Sequence, residues 1–310
     1  MTVPPRHLLE IDDLSAGELV RILDLCERPI PPDAAVTGEL AGRSIGLYFE
    51  KPSLRTRHSC EAAVSRLGGH PVAFTQAEVG IGSREPAADV ARVLSGFHAA
   101  LGARVFDHAV LEDLAAEATV PVINLLSDLG HPCQALADLK TMRDELGSLS
   151  GRTVCWVGDY NNVARSLTLG AAMCGMHVRI ASPVGYGPSD VAVERLRAAG
   201  LSTAPFLTTR PAEAAEGADA VHTDVWASMG QEDEAADRSR AFEGFQVDDS
   251  VMAAAGDSAI FMHCLPAHRG EEVAASVADG ARSRMFPQAH NRMHAMIGLF
   301  RWLVEIEAIR

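Results

Sequence analysis

Phe49-Glu50-Lys51-Pro52-Ser53-Leu54-Arg55-Thr56-Arg57-His58-Ser59 separates two backbone periods. Before it, Ser44-Ile45-Gly46-Leu47-Tyr48-Phe49 has the apolar and aromatic content of a buried strand. After it, Cys60, Val64 and Leu67 fall at helical spacing, and Gly68-Gly69 closes the run. The stretch therefore reads as a strand, a tight turn at Pro52 and the first turn of a helix. That turn carries free backbone N–H groups and the positive end of the helix dipole. Ser53 and Thr56 add hydroxyls, and Arg55 and Arg57 add planar forks that match phosphate oxygens. A helix start furnished in this way is a phosphate site. The simpler alternative is a serine cap followed by two solvated arginines. Two cations beside a helix start oppose the dipole, which favours the phosphate reading.

The chain has 310 residues, enough for two medium domains with their own cores. Its 47% apolar and 22% charged residues are those of a soluble globular protein. A net charge of −14 argues against nonspecific nucleic-acid binding and makes the local basic cluster from Lys51 to His58 informative. No stretch approaches the ~20 apolar residues of a membrane span, and the start has no apolar run of signal-peptide type. Cys26, Cys60, Cys133, Cys155, Cys174 and Cys264 form no CxxC pair, and read as reduced, mostly buried thiols of a cytoplasmic protein.

Along the chain, Leu14-Ser15-Ala16-Gly17-Glu18-Leu19 is a capping box with a hydrophobic staple, and Leu19, Ile22, Leu23 and Cys26 make one helical face. Arg28-Pro29 stops that helix. Pro71–Phe74 is a short strand, Glu78–Pro86 a polar loop, and Asp89–Phe97 a helix; Ala103–Phe106 and Pro121–Asn124 are further strands. A helix opens near His131 and runs to about Leu146, and Gly147–Arg152 reads as a junction. A second alternating unit follows, with a strand at Thr153–Gly158, a helix at Ala164–Gly175, and later strands at Val178–Ala181, Ala220–Thr223 and Ala259–Met262. Met293, Met296, Ile297, Phe300 and Val304 form the stripe of a terminal helix. Alternating strands and helices indicate parallel sheets covered on both faces.

Such sheets place ligands just past their strand ends. Arg104, His131, Gln134, Asn161, Asn162, Asp224, His263 and Cys264 all stand at such positions. His263-Cys264-Leu265-Pro266-Ala267-His268 hints at a metal, but zinc takes three or four ligands and no third partner stands at a usual spacing. Gly80-Ile81-Gly82-Ser83-Arg84-Glu85 and Gly158-Asp159-Tyr160-Asn161-Asn162 both fall short of a dinucleotide fingerprint.

Taken in order, four motifs resemble those of the ornithine carbamoyltransferases. They are Phe49–Arg57, then His131-Pro132-Cys133-Gln134-Ala135-Leu136-Ala137-Asp138-Leu139, then Asp224-Val225-Trp226-Ala227-Ser228-Met229-Gly230, and last His263-Cys264-Leu265-Pro266-Ala267-His268-Arg269-Gly270. The last two separate the ornithine branch from the aspartate branch. The resemblance implies an α/β fold of two doubly wound domains, each with a central parallel sheet, joined by a long helix. Residues 1–147, with the C-terminal helix 291–310 packing back on them, would bind carbamoyl phosphate, and 148–290 would bind ornithine. It implies a trimer or a multiple of trimers with active sites at subunit boundaries, and no cofactor, metal, membrane or nucleic acid.

Carried over position by position, the resemblance gives Ser53, Arg55 and Thr56 to the phosphate, with backbone N–H groups near Leu54. Arg104, His131 and Gln134 would hold the carbamoyl oxygen and amide; Asn162, Asp224, Ser228 and Met229 the α-amino and α-carboxyl groups of ornithine; Cys264, Leu265 and Arg292 would close the reacting centre. Among these, Arg55, Arg104, His131 and Cys264 are the expected catalytic residues. Two positions depart from the family's pattern. Leu54 replaces a usual threonine, and Gly80 replaces a polar residue that reaches a neighbouring subunit, a contact that Ser83 or Arg84 could supply. The alternatives are a carbamoyltransferase for another amine, such as putrescine, an acylated ornithine or a specialised-pathway precursor, and a non-catalytic carbamoyl-phosphate-binding relative.

Overall fold

The computed structural model describes residues 5–227 and 234–310. The chain divides into two compact units, one of residues 1–137 with 290–310 and one of residues 138–289. Two helices, Pro132–Leu146 and Met285–Glu305, run through the boundaries.

The first unit is built on a four-stranded parallel sheet in the order β2-β1-β3-β4, with β1 at Ser44–Phe49, β2 at His70–Thr75, β3 at Ala100–Arg104 and β4 at Val122–Leu126. The interior of β1 is buried, as expected of a strand lined by neighbours on both sides and covered on both faces. Helices Leu54–Arg66, Ala87–Ser95 and His108–Glu117 supply the crossovers. Leu101, Val105, Leu111, Leu114 and Val90 pack one side of this sheet.

Helix Ala16–Cys26 begins with the expected reciprocal cap: Glu18 N–H donates to Ser15 Oγ at 3.2 Å, and Ser15 N–H to Glu18 Oε2 at 2.7 Å. Leu14 and Leu19 are both buried beside it. The final helix packs on it closely, since a Cβ at Gly298 would lie 2.5 Å from Cys26 Sγ and 2.5 Å from the Ile22 carbonyl oxygen. Arg301, 2% exposed, donates to the carbonyls of Leu25, Arg28 and Pro29 and to Glu39. It thereby satisfies carbonyls that the end of helix Ala16–Cys26 and the proline stop after it leave open.

The second unit holds a five-stranded parallel sheet in the order β7-β6-β5-β8-β9, with β5 at Thr153–Val157, β6 at His177–Ala181, β7 at Phe206–Thr208, β8 at Ala220–Thr223 and β9 at Ile260–His263. Its core gathers Cys155, Val157, Val221, Phe261, Met252 and Phe242. Strand order reverses between β1 and β3 in one unit and between β5 and β8 in the other, the positions where doubly wound sheets open a crevice at their carboxyl ends.

Several local expectations shift. The segment read as a polar loop from Glu78 begins inside a one-turn helix, Gln76–Val79, capped by Gly80 in the left-handed region at φ 72°. β3 begins at Ala100 and ends at Arg104, so Val105 and Phe106 lie beyond it. The terminal helix begins at Met285, not near residue 291.

Gly298 yields a stability prediction. Alanine would gain about 1 kcal/mol of helix propensity. It would also force a methyl group against the Ile22 carbonyl, and overpacking of this kind costs about 1–3 kcal/mol. Gly298→Ala should therefore lower the urea midpoint of unfolding; an unchanged or raised midpoint contradicts the packing described.

Candidate functional site

In the first unit the polar residues gather at the reversal between β1 and β3. Helix Leu54–Arg66 starts immediately after β1, with Ser53 at its N-cap position and no hydrogen bond from the first turn to the Ser53 side chain. The hydroxyl is thus not spent on capping the helix. Thr56, one turn in, is 1% exposed and accepts from Arg104 Nη1 at 3.2 Å and from Arg292 Nη2 at 2.9 Å. With both oxygen lone pairs occupied, the threonine hydrogen remains to be donated. Arg292, from the final helix, also donates Nη1 to Gln134 Oε1.

Arg104, His131, Gln134 and Arg292 are 8%, 4%, 1% and 4% exposed. Arg104 ends β3 where the register with β4 shifts between Ala103 and Arg104, a bulge of the kind that re-aims a side chain. The charge balance is unusual. The partners of Arg292 are the neutral Thr56 and Gln134, and no described carboxylate bonds to it. Burying an ion costs several kcal/mol unless an opposite charge or a full hydrogen-bond shell offsets it.

This positive field acts on His131. Burial first, then the guanidiniums of Arg292 and Arg104, hold its pKa well below the ordinary histidine value. The ring is neutral at physiological pH and can donate one N–H without carrying charge. His131 is placed by the residues before it. Asn124, fully buried in the middle of β4, donates Nδ2 to the carbonyls of Leu9 and Gly130 and to Ser127 Oγ, and His108 Nδ1 meets the same hydroxyl at 2.8 Å.

The remaining expectations in this unit divide. Arg55 is half-buried beside Thr56. Leu54, the first residue of the helix, is 70% exposed, so its side chain packs little against the rest of the unit. Arg57 is corrected: it is exposed and donates Nε to Glu61 Oε1 at 2.9 Å, an i,i+4 pair on the solvent face. Lys51 lies over the Phe106 ring at 3.3 Å from its centroid. Gly80 accepts from Ser83 Oγ through its carbonyl at 3.1 Å, and its left-handed backbone accounts for glycine there.

In the second unit the reversal between β5 and β8 has the opposite charge. Asp224, 8% exposed, follows β8. Its Oδ2 accepts from Asn161 Nδ2 at 2.9 Å, and its Oδ1 from Cys264 Sγ at 3.1 Å and Val225 N–H at 2.9 Å. All three donors are neutral, and no described arginine or lysine pairs with this carboxylate. Asn161 is the cap of helix Asn162–Met173 and accepts from Val163 and Ala164 N–H at 3.0 Å each. Asn162 begins the helix, with its Oδ1 accepting from Val163 N–H. The residue that reaches Asp224 is Asn161, which the sequence reading noted but did not assign; two adjacent asparagines at a cap look alike in sequence. Ser228 and Met229 lie outside the described residues.

Asp159 and Arg238 also escaped the sequence reading. Their ion pair at 2.8 Å is largely buried, and Arg238 Nη1 also donates to the Trp226 carbonyl at 2.9 Å. Burial raises the Asp159 carboxyl above its ordinary range despite the guanidinium beside it. The pair ties the segment after β8 to the end of β5.

Cys264 and Leu265 follow β9. Cys264 is half-buried, whereas burial pushes the thiols of Cys60 and Cys155 up to about 12. Leu265 is held in the left-handed region at φ 63°, a position that costs a non-glycine residue about 1–3 kcal/mol and recurs at functional sites. Its N–H donates to His263 Nδ1 at 2.9 Å, and His263 Nε2 pairs with the buried Glu272 Oε1 at 3.1 Å. A third metal-type partner does exist, contrary to the spacing argument: ligand atoms of Asp224, His263 and Cys264 lie within 4.8 Å of one another. It comes from a different strand end. The hydrogen bonds nevertheless occupy both ring nitrogens of His263, one accepting and one donating, and leave no lone pair for an ion.

Residues 6–144 match the family described as "Aspartate/ornithine carbamoyltransferase, carbamoyl-P binding domain", and residues 150–303 match its "Asp/Orn binding domain". An ornithine carbamoyltransferase of Acidothermus cellulolyticus is 48% identical over 303 residues, 97% of each chain. The crystal structure of ornithine carbamoyltransferase from Thermus thermophilus has a TM-score of 0.85 at 41% identity, covering 99% of this chain and 100% of that one. That from Pyrococcus furiosus has a TM-score of 0.87 at 41% identity, covering 96% and 97%.

The state of His131 is directly measurable. Because the folded pKa is depressed, an unfolded chain takes up a proton near pH 6.5 that the folded chain refuses. The contribution to stability is complete above that pH and is lost as pH falls below it, at up to about 1.4 kcal/mol per pH unit. Long-range nitrogen NMR at pH 6 should report a neutral His131 ring; an imidazolium signal there would refute the electrostatics given.

Proposed function

Since the chain belongs to the aspartate/ornithine carbamoyltransferase family, we propose that it transfers the carbamoyl group of carbamoyl phosphate to the δ-amine of L-ornithine, giving L-citrulline and phosphate. The observation that carries the donor half is the buried, carboxylate-free Arg292 sharing Thr56 with Arg104. A dianionic phosphate offsets that charge.

In this reading the N–H groups of the first helical turn, with Ser53, Arg55 and Thr56, hold the phosphate. Arg104, neutral His131 and the Thr56 hydroxyl face the carbonyl oxygen, and Gln134 orients the carbamoyl amide. Asp224 receives the α-ammonium of ornithine with help from Asn161 and Asn162, and Ser228 and Met229 are assigned to the same amino acid by resemblance. Cys264 and Leu265 stand by the reacting amine.

The δ-amine attacks as its neutral form. With a solution pKa of roughly 10, about one molecule in 10³ is ready at pH 7. Its lone pair forms the C–N bond, the carbonyl electrons move onto oxygen, and their return expels phosphate with the C–O electron pair. The proton released from nitrogen can pass to the departing phosphate, so no separate acid is required. Donors aimed at the oxyanion typically contribute ~10² to 10³ each in rate. Holding both substrates together supplies much of the remainder. We assign the chain to the cytoplasm and to a homotrimer or a multiple of it. The support is the family and, among the described residues, the lack of any helix long and apolar enough to cross a membrane.

Citrulline formation, assayed with ornithine, putrescine and N-acetylornithine as acceptors, tests the reading; ornithine should be preferred, and a preference for either other amine contradicts it. Arg104→Ala should lower kcat by about 10² or more with the fold intact. Asp224→Asn should chiefly raise KM for ornithine. Wild-type kinetics in both variants would remove the assignment.

A further inference from the structure

Glu272 is fully buried, yet only one of its carboxylate oxygens is engaged. Oε1 pairs with His263 Nε2 at 3.1 Å and accepts from His268 N–H at 2.5 Å. Oε2 is enclosed and accepts no hydrogen bond. It faces His268 Nδ1 at 3.8 Å, and the same nitrogen lies 3.7 Å from Glu271 Oε2. The three ligand atoms lie within 4.8 Å of one another. A tight turn places them together: Arg269 bridges Val273, Gly270 N–H donates to the Val273 carbonyl at 2.8 Å, and Gly270 takes φ 95°. The His268 and Glu271 side chains are 51% and 62% exposed, so the cluster opens to solvent on one side and to the buried oxygen on the other.

A buried carboxylate oxygen with no donor is costly. His268 alone does not meet it, since 3.8 Å is beyond hydrogen-bond reach. A cation would. Imidazole nitrogen and carboxylate oxygen bind zinc-like ions at about 2.0–2.2 Å, which in tetrahedral geometry sets neighbouring ligand atoms about 3.3–3.6 Å apart. The two contacts to His268 need close by only a few tenths of an ångström. One imidazole and two carboxylates suit first-row divalent ions in preference to soft monovalent copper. The far oxygen of Glu272 is already fixed by two N–H donors, the support that ligating carboxylates ordinarily have.

We propose that His268 Nδ1, Glu271 Oε2 and Glu272 Oε2 form a binding site for a first-row divalent cation, with water completing its shell. It is distinct from the Asp224 and Cys264 chemistry and independent of the carbamoyl-transfer reading. Through Glu272 Oε1 it adjoins His263, and through His263 the strained turn at Leu265. An ion there would brace that turn.

Calorimetric titration of the chelator-stripped full chain with zinc chloride tests the site. Wild type and Cys264→Ser should bind with similar affinity. His268→Ala and Glu271→Gln, each altering one exposed side chain, should each weaken binding by about tenfold or more. The cobalt complex should show visible bands without a near-ultraviolet sulfur charge-transfer band. Absence of binding by wild type, wild-type affinity in the His268 and Glu271 variants, or loss of binding in Cys264→Ser would each overturn the proposal.

Discussion

The Thr56 hydroxyl, gripped by two buried guanidiniums, is the contact on which the first unit depends. It requires three separate features of the chain at once. The strand–helix turn after β1 supplies Thr56, a register shift at the end of β3 supplies Arg104, and the return of the last helix supplies Arg292. The cost of desolvating Arg292 is met only in part by its neutral partners. Burial first, and then the positive charge of Arg292 and Arg104, keeps His131 neutral, and the proposed role of this cluster is to receive an anion.

The second unit carries the complementary arrangement. Asp224 is buried and bonded to an amide, a thiol and a backbone N–H, all without charge. Neutral donors fix the carboxylate's direction while preserving its attraction for a cation. An anion-seeking site in one unit and a cation-seeking site in the other match the two substrates of carbamoyl transfer, a phosphorylated donor and a positively charged amino acid. Buried groups of this kind are preorganised, and preorganised dipoles and charges commonly supply the largest part of a catalytic effect.

Much of this was legible in the sequence because it rests on local signals. Pro52 and the change of period fixed the start of helix Leu54–Arg66, and the Ser15–Glu18 box was visible as a spacing. Arg57 misled because a fork three residues from a helix start looks the same whether it faces a ligand or Glu61. The helices Pro211–Ala215 and Asp249–Ala255 went unread because alanine-rich turns carry no strong apolar period, and β7 is only Phe206–Thr208. Asn124, Asp159 and Arg238 act through partners distant in sequence, so their roles appear only once strand order brings those partners together. Asp224 as a neighbour of Cys264 is of the same kind.

The most direct test is a crystal structure with a bisubstrate mimic in which a phosphonate is joined to ornithine. The account predicts the phosphonate on the N–H groups that open helix Leu54–Arg66, in contact with Arg55 and Thr56, and the α-ammonium on Asp224. A phosphonate bound elsewhere, with the Thr56–Arg104–Arg292 cluster unoccupied, would contradict it.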